Sequence, residues 1–167
     1  MTEDQELSKH FSLYDLTRTD HADLQSENRE VSESELVKLI KVAELLEQVV
    51  ELIGAIDVHS GRRFYKLNAR VGGSPKSQHM LCEAADCSPK GLDTEASIEA
   101  AFAKIATAVA AGKIKVGQLI IESQAAGREG RKFWIHISLG APYREAVRCG
   151  QVLRMRDGKY EIYKGVA

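Results

Sequence analysis

Two of the five histidines in this sequence have companions suited to metal chemistry. His79 precedes Asp86 by seven residues, across a turn and a short strand-like segment. His136 lies in a strand-like run in which alternation puts Trp134, His136 and Ser138 on one face. Two histidines and an aspartate form a plausible zinc set, because Zn²⁺ accepts imidazole nitrogen and carboxylate oxygen. On spacing alone, an alternative stays open in which Asp86 caps a turn and both histidines are structural.

The segments that must position these residues show helical periodicity first and strand periodicity later. Ser32 and Glu35 form a capping box before apolar residues at helical spacing, and Gly54 ends this predicted helix. A second, alanine-rich helix is predicted from Thr94 to about Ala111. Strands are predicted at residues 55–59, 83–87, 118–122, 132–138, 151–156 and 159–163, with a hairpin loop at 123–131 and an Asp-Gly turn at 157–158.

This arrangement of elements predicts the fold class. Helices and hairpins are grouped, without a regular βαβ alternation, which indicates an α+β domain with helices packed on one side of a mainly antiparallel sheet. Residues 1–30 are predicted to form a partly ordered N-terminal arm in which 19–30 is a polar loop, and residues 31–167 form the main domain.

Composition excludes several classes of protein. The 167 residues suit one domain, and a formal charge of −1 leaves no basic excess for phosphate contacts, so we expect no nucleic-acid partner. The chain lacks a long apolar run, and its start lacks the pattern of a signal peptide. We therefore expect no membrane insertion and a cytoplasmic location as synthesised. Three cysteines are too few for a disulfide-stapled domain, so we expect reduced thiols, and we expect Cys82 and Cys87 to be buried. A zinc site with cysteine and histidine ligands is the alternative, although these two lack the Cys-x-x-Cys spacing that usually marks one.

A series of short motifs extends from residue 60 to residue 138. They are Ser60-Gly61-Arg62-Arg63, Leu67-Asn68, Val71-Gly72-Gly73-Ser74, Ser77-Gln78-His79-Met80, Glu83-Ala84-Ala85-Asp86, Gln118-Leu119-Ile120 and Trp134-Ile135-His136-Ile137-Ser138. In this order they resemble zinc D-Ala-D-Ala carboxypeptidases and L-alanyl-D-glutamate endopeptidases, which share their metal-site fold with the amino-terminal Hedgehog domain. The resemblance covers roughly residues 11–163 and is closest to the short members encoded by phages and prophages.

The resemblance implies roles for individual residues. His79, Asp86 and His136 would hold one zinc ion per chain, within a zinc peptidase-like catalytic domain spanning residues 31–167. Arg63 would face the substrate, where its guanidinium suits a carboxylate; a surface ion pair is the alternative. Ser77 and Gln78 would line the cleft, although loop hydrogen bonds explain them equally well.

The catalytic base is the position at which the sequence departs from the family pattern. Some members carry an acidic residue three positions before the last histidine, where this chain has Phe133. Glu122 resembles the acidic residue that follows the Gln-Leu-Ile segment in short phage-type members, and its strand is predicted to pair with that of His136. We therefore expect Glu122 to be the base, with Glu129 in the hairpin loop as the second candidate.

The implied activity is zinc-dependent hydrolysis of peptide bonds next to D-amino acids in peptidoglycan stem peptides. Zinc would polarise the scissile carbonyl, and a carboxylate would take a proton from the attacking water. We expect action on the cell wall after phage-assisted release, and the sequence leaves carboxypeptidase and endopeptidase activity open. The alternative is a non-enzymatic, zinc-stabilised phage structural or binding module, because the usual base position is lost.

Overall fold

The computed structural model describes residues 4–165, which form a six-stranded sheet with its two long helices packed on one face. The α-helices are α1 Leu13–Thr17, α2 Gln25–Arg29, α3 Glu33–Ile53, α4 Tyr65–Arg70 and α5 Glu95–Ala110. The strands are β1 Ile56–Ser60, β2 Ala84–Pro89, β3 Gln118–Ala125, β4 Arg131–Ser138, β5 Gln151–Arg156 and β6 Lys159–Ile162. Short 3₁₀ turns lie at Ala22–Leu24, Gly127–Glu129 and Ala146–Arg148.

The sheet has the strand order β1-β2-β4-β3-β5-β6. Neighbouring strands run antiparallel throughout except for β3 and β5, which are parallel. The prediction of an α+β fold with a mainly antiparallel sheet and helices on one side is confirmed. The central pair β4 and β3, together with β2 on the other side of β4, holds most of the residues that could do chemistry.

Helix α3 begins and ends where the sequence predicts. The Ser32 hydroxyl accepts a hydrogen bond from the Glu35 amide, and the Glu35 carboxylate accepts one from the Ser32 amide. Gly54, with a φ of 86°, ends the helix in a conformation that side chains disfavour. The apolar face of α3 packs in the core together with the apolar face of α5. The buried residues of α3 are Leu39, Val42, Ala43, Leu45, Leu46 and Val49.

Strands β3 and β4 separate core side chains from cleft side chains. Ile135 and Ile137 are fully buried in the apolar core, as predicted from strand alternation. On β3 the core positions are Leu119 and Ile121, so that the residues between them face away from the helices. The opposite face of both strands is therefore free to carry polar groups.

The prediction of a polar loop over residues 19–30 is wrong for residues 22–29, which are helical. Residues 22–24 form a 3₁₀ turn and residues 25–29 form α2. The buried Asn28 amide donates to the carbonyls of Thr17 and Arg62 and its oxygen accepts from the Phe64 amide, at 2.6, 2.9 and 3.0 Å. These tertiary hydrogen bonds hold the segment in place, and they involve partners distant in sequence. The division of the chain at residue 30 stays a prediction.

The hairpin between β3 and β4 is longer than predicted. Pairing continues beyond Glu122 to Ala125, which lies opposite Arg131, and the loop shortens to residues 126–130. Glu122 is consequently a mid-strand residue held by pairing on both sides. Among the described residues, no helix has both the length and the apolar character that crossing a membrane requires.

Candidate metal centre and its cleft

Three side chains distant in sequence converge on the cleft face of the sheet. Asp86 on β2 lies directly opposite His136 on β4, and His79 comes from the turn before β2. Asp86 Oδ1 lies 3.2 Å from His79 Nε2 and 3.0 Å from His136 Nδ1. The two ring nitrogens are 3.2 Å apart, and all three residues are buried. Among the described residues this is the one cluster of histidine, cysteine and carboxylate groups compact enough to hold a metal ion.

Each of the three groups is oriented by a partner behind it. His79 Nδ1 donates to the Gly61 carbonyl at 2.7 Å, and His136 Nε2 lies 3.1 Å from Gln78 Oε1. Arg63 Nη2 donates to the second oxygen of Asp86 at 2.6 Å. Outer partners of this kind fix the ring tautomer and the orientation of metal ligands. The atoms that remain for a cation, His79 Nε2, His136 Nδ1 and Asp86 Oδ1, lie within 4.8 Å of one another.

The protonation states suit a cation. Burial lowers the pKa of His79, which favours the neutral imidazole despite the nearby Asp86. Burial alone would raise the pKa of Asp86, but the charges and hydrogen bonds of His79 and His136 hold it well below its ordinary value. A neutral imidazole and an ionised carboxylate are the forms in which these residues bind zinc. The donor set therefore fits a metal ion of this type.

Gly61 connects the centre to the N-terminal helix. Its carbonyl holds His79, and a side chain at this position would collide with the backbone of Leu16. The neighbouring Arg62 amide donates to the Leu16 carbonyl at 2.7 Å. Only glycine allows this close approach, and the Ser-Gly-Arg-Arg motif is the signal in the sequence that corresponds to it.

The two arginines of this motif have different environments. Arg63 is mostly buried, with Nε donating to Ser60 Oγ at 2.8 Å and Nη2 to Asp86. Its ion pair is therefore within the site rather than on the surface. Arg62 is directed away from the cleft, where it binds Glu35 on α3 and the carbonyl of Asn28. Sequence reasoning did not identify this structural role of Arg62.

The triad lies at the floor of an open cleft of about 630 Å³. Ser77 and Gln78 line it beside His79. Ser77 Oγ accepts a hydrogen bond from the His79 amide at 3.3 Å, and Gln78 contacts His136. Both residues therefore make loop hydrogen bonds as well as facing the cleft.

Glu122 faces the same cleft from the neighbouring strand. It pairs in register with Trp134 on β4, two residues from His136 on the same strand face. Burial raises the pKa of Glu122 to about 7, and the negative charge of Asp86 adds to this rise. Phe133 packs against the core on the other face and brings no acidic group to the cleft.

Glu129 and the cysteines lie outside the centre. The Glu129 side chain is 72% exposed and pairs with Lys132 at 3.1 Å in the hairpin loop. Cys82 and Cys87 are fully buried, and burial raises the pKa of each thiol to about 12. The prediction of buried packing for these two cysteines is confirmed. A thiol with such a pKa is a poor nucleophile or metal ligand at neutral pH.

Comparison with known protein families agrees with a metal centre at the triad. A family model described as Peptidase M15 matches residues 9–138, a range that includes the triad, Arg63 and Glu122. Comparison with curated proteins gives no significant match. The family contains zinc peptidases, in agreement with a buried donor set of two histidines and an aspartate. Since the matched residues make up most of the sequence, this chain belongs to the Peptidase M15 family, as its resemblance to zinc D-Ala-D-Ala carboxypeptidases predicts.

Proposed function

We propose that the protein hydrolyses peptide bonds in peptidoglycan stem peptides, with one zinc ion held by His79, Asp86 and His136. The observation that carries this proposal is the convergence of three buried ligand atoms, all within 4.8 Å of one another, at the floor of an open cleft. When bound, zinc supplies Lewis acidity that polarises a scissile carbonyl and makes water nucleophilic near neutral pH. The surrounding side chains supply orientation and proton transfer.

Glu122 is the proposed general base. Its carboxylate takes a proton from the attacking water and gives it to the leaving amine as the peptide bond breaks, so that the side chain ends the cycle unchanged. Support comes from its position on the strand next to His136 and from a pKa of about 7, near that expected of a base working at neutral pH. No covalent intermediate with a protein side chain is required.

The proposed substrate-binding residues are Arg63, Gln78 and Ser77, which line the cleft beside His79. Two donors of the Arg63 guanidinium are engaged with Asp86 and Ser60, and Nη1 makes no hydrogen bond to a described residue. That edge is suited to a carbonyl or carboxylate oxygen of the substrate. Gln78 holds His136 through its amide oxygen, which leaves its amide N–H groups for the peptide.

The competing proposal is a zinc-stabilised module without catalysis. It is favoured by one observation, namely that Phe133 occupies the position where some relatives carry an acidic residue and packs against the core. The two proposals agree on the metal and differ on Glu122. A variant at Glu122 therefore separates them.

The deciding experiment is hydrolysis of purified peptidoglycan by zinc-loaded protein. We expect release of cleaved stem peptide by the wild type and a fall of roughly 10²-fold or more for Glu122→Gln, with zinc content unchanged. Release of free D-alanine would identify a carboxypeptidase, and release of longer peptides an endopeptidase. If zinc-loaded wild type cleaves no stem peptide, the peptidase proposal is wrong and the non-enzymatic module is favoured. The action on the cell wall after phage-assisted release is part of this proposal.

A further inference from the structure

The arginines of the described chain divide into those with a carboxylate partner and those without. Seven form ion pairs with Asp or Glu: Arg29, Arg62, Arg63, Arg70, Arg131, Arg154 and Arg156. Four make no such pair with any described residue: Arg18, Arg128, Arg144 and Arg148. Three of these four, all but Arg128, line the cleft that contains the metal centre. Arginines without a carboxylate partner are therefore concentrated in the cleft.

Arg144 is held in a defined orientation by neutral groups. Its Nε donates to the Arg148 carbonyl at 2.8 Å, and its Nη2 donates to Gln151 Oε1 at 3.1 Å. The same Gln151 oxygen accepts a hydrogen bond from Gln118 Nε2 at 2.9 Å, and Gln118 lines the cleft. The aliphatic part of the Arg144 side chain lies against Gly117, where a side chain would collide with Arg144 Cδ. The guanidinium is thus positioned in advance, and its charge is left unneutralised.

Arg148 adds a second charge four residues later, at the end of the 3₁₀ turn Ala146–Arg148. Its side chain is exposed, lines the cleft and makes no hydrogen bond to a described residue. Two guanidinium groups four residues apart, one held by hydrogen bonds and one exposed, can bind a carboxylate with several charge-assisted hydrogen bonds. Arg63 is less free for this purpose because it already neutralises Asp86.

The arginine pair and Glu122 lie at opposite ends of the metal centre. Along β3, Ile120 stands opposite His136, with Gln118 two residues before it and Glu122 two residues after it. Gln118 and Glu122 are therefore about 13 Å apart along the strand. Arg144 lies at the Gln118 end of the strand, because it donates a hydrogen bond to Gln151, which pairs in register with Gln118. A peptide crossing the centre would extend from the base toward the arginines.

We propose that Arg144 and Arg148 form a carboxylate-binding subsite at the Gln118 end of the cleft, which holds an acidic group of the peptide substrate. This inference rests on the proposed function, since the carboxylate belongs to the peptide that is cut. Both arginines lie after residue 138, outside the range matched by the family model. In a stem peptide the carboxylate has two sources, the free C-terminus and the carboxylate of the internal D-glutamate.

Three synthetic probes separate these sources. They are a stem pentapeptide ending in D-alanyl-D-alanine with both carboxylates free, the same peptide amidated only at its C-terminus, and the same peptide amidated only at D-glutamate. We would measure kcat/KM of zinc-loaded protein for each probe. Dissociation constants would come from calorimetry on the Glu122→Gln background, in which the probe should be consumed far more slowly.

The variants are Arg144→Gln and Arg148→Gln, and Arg156→Gln is the matched control. Arg156 lies on β5 in the next stretch of chain, pairs with Glu95 and does not line the cleft. We expect each cleft variant to lose roughly tenfold in kcat/KM and in affinity for the free pentapeptide, and the control to match the wild type. Amidation of the recognised carboxylate should weaken the wild type equally and remove the difference between wild type and variants.

The outcomes are distinguishable from failure of the peptidase itself. Sensitivity to C-terminal amidation identifies the terminal carboxylate, and sensitivity to internal amidation identifies D-glutamate. If both cleft variants bind and hydrolyse every probe as Arg156→Gln does, the subsite is wrong even though the peptidase is real. If the wild type cleaves none of the probes, the proposed function fails, and the dissociation constants alone decide whether the arginines bind a carboxylate.

Discussion

The two faces of strand β4 carry opposite kinds of residue. Toward the helices, Ile135 and Ile137 are buried among apolar side chains from α5 and β3. Toward the cleft, His136 is also buried but contacts Asp86, His79 and the Gln78 amide. The first face gains stability from apolar area removed from water, whereas the second places ionisable groups where burial is costly.

This difference suggests that stability and chemistry are largely separable in this fold. Removing side-chain volume from the helix-covered face should lower the free energy of unfolding, yet that face contacts no group proposed to take part in the reaction. The cleft face depends on hydrogen bonds to Gly61, Arg63 and Gln78 and, in the proposed function, on a bound cation. Substitutions on the two faces should therefore give different signatures when stability, metal content and turnover are measured together.

The largest effect is expected from the ligands themselves. Asp86→Ala removes the one anionic member of the proposed ligand set and leaves Arg63 without its buried partner. Because the metal is proposed to supply several kcal/mol of transition-state stabilisation, turnover should fall by roughly 10³-fold or more. Zinc content should fall with it, as measured by metal analysis of the purified variant. Full zinc occupancy in this variant would contradict the assignment of Asp86 as a ligand.

A core substitution should give the opposite signature. Phe102 on α5 is fully buried, and Phe102→Ala should lower the free energy of unfolding by about 3 to 5 kcal/mol through lost contacts and a cavity. Denaturant unfolding measures this loss. The folded fraction should keep one zinc per chain and near-normal turnover. A selective loss of zinc at unchanged stability would show that the two faces are coupled.

The pH dependence of the metal-free protein should report on Glu122. Its pKa is raised from 4.5 to about 7, so the folded state favours the neutral carboxyl group. Its contribution to stability is fully present below pH 4.5 and is lost as pH rises through about 7. Glu122→Gln should therefore gain roughly 1 to 3 kcal/mol relative to wild type between pH 5 and pH 8. A stability difference that stays constant over this range would contradict a raised pKa.

The smallest effect is expected at the exposed hairpin loop. Glu129→Gln breaks only a solvent-exposed pair with Lys132. Turnover should stay within about twofold of wild type, and stability within about 0.5 kcal/mol. Thermal unfolding and the same hydrolysis assay test both values. A large loss of activity in Glu129→Gln with normal activity in Glu122→Gln would transfer the base role to Glu129.

Local patterns in the sequence predicted the elements well because their causes are local. The capping box at Ser32 and the alternation around His136 depend on neighbours within a few residues. The parallel pairing of β3 with β5 had no such signal. Strand β4 occupies one edge of β3, and β5 takes the other edge after the chain has passed through residues 139–150.

The spacing of residues in the sequence predicted only part of the candidate site. The six residues between His79 and Asp86 are compatible with many structures, and the resemblance to a known family strengthened the grouping with His136. The Gly61 carbonyl and the arginines at 144 and 148 act through contacts between distant segments. Asn28 was missed for the same reason, because a polar sequence looks like a loop until its buried partners are known.

The central claim is that the cleft face is a metal centre, and zinc binding to the chelated protein tests it most directly. We expect one zinc per chain by metal analysis, with the transition temperature rising as zinc is added. At a free zinc concentration 100 times the dissociation constant, the gain should be about 2.7 kcal/mol, or a shift of roughly 5 to 10 °C. His136→Ala should abolish both effects. Protein refolded with zinc present that contains no zinc and unfolds at an unchanged temperature would contradict the account.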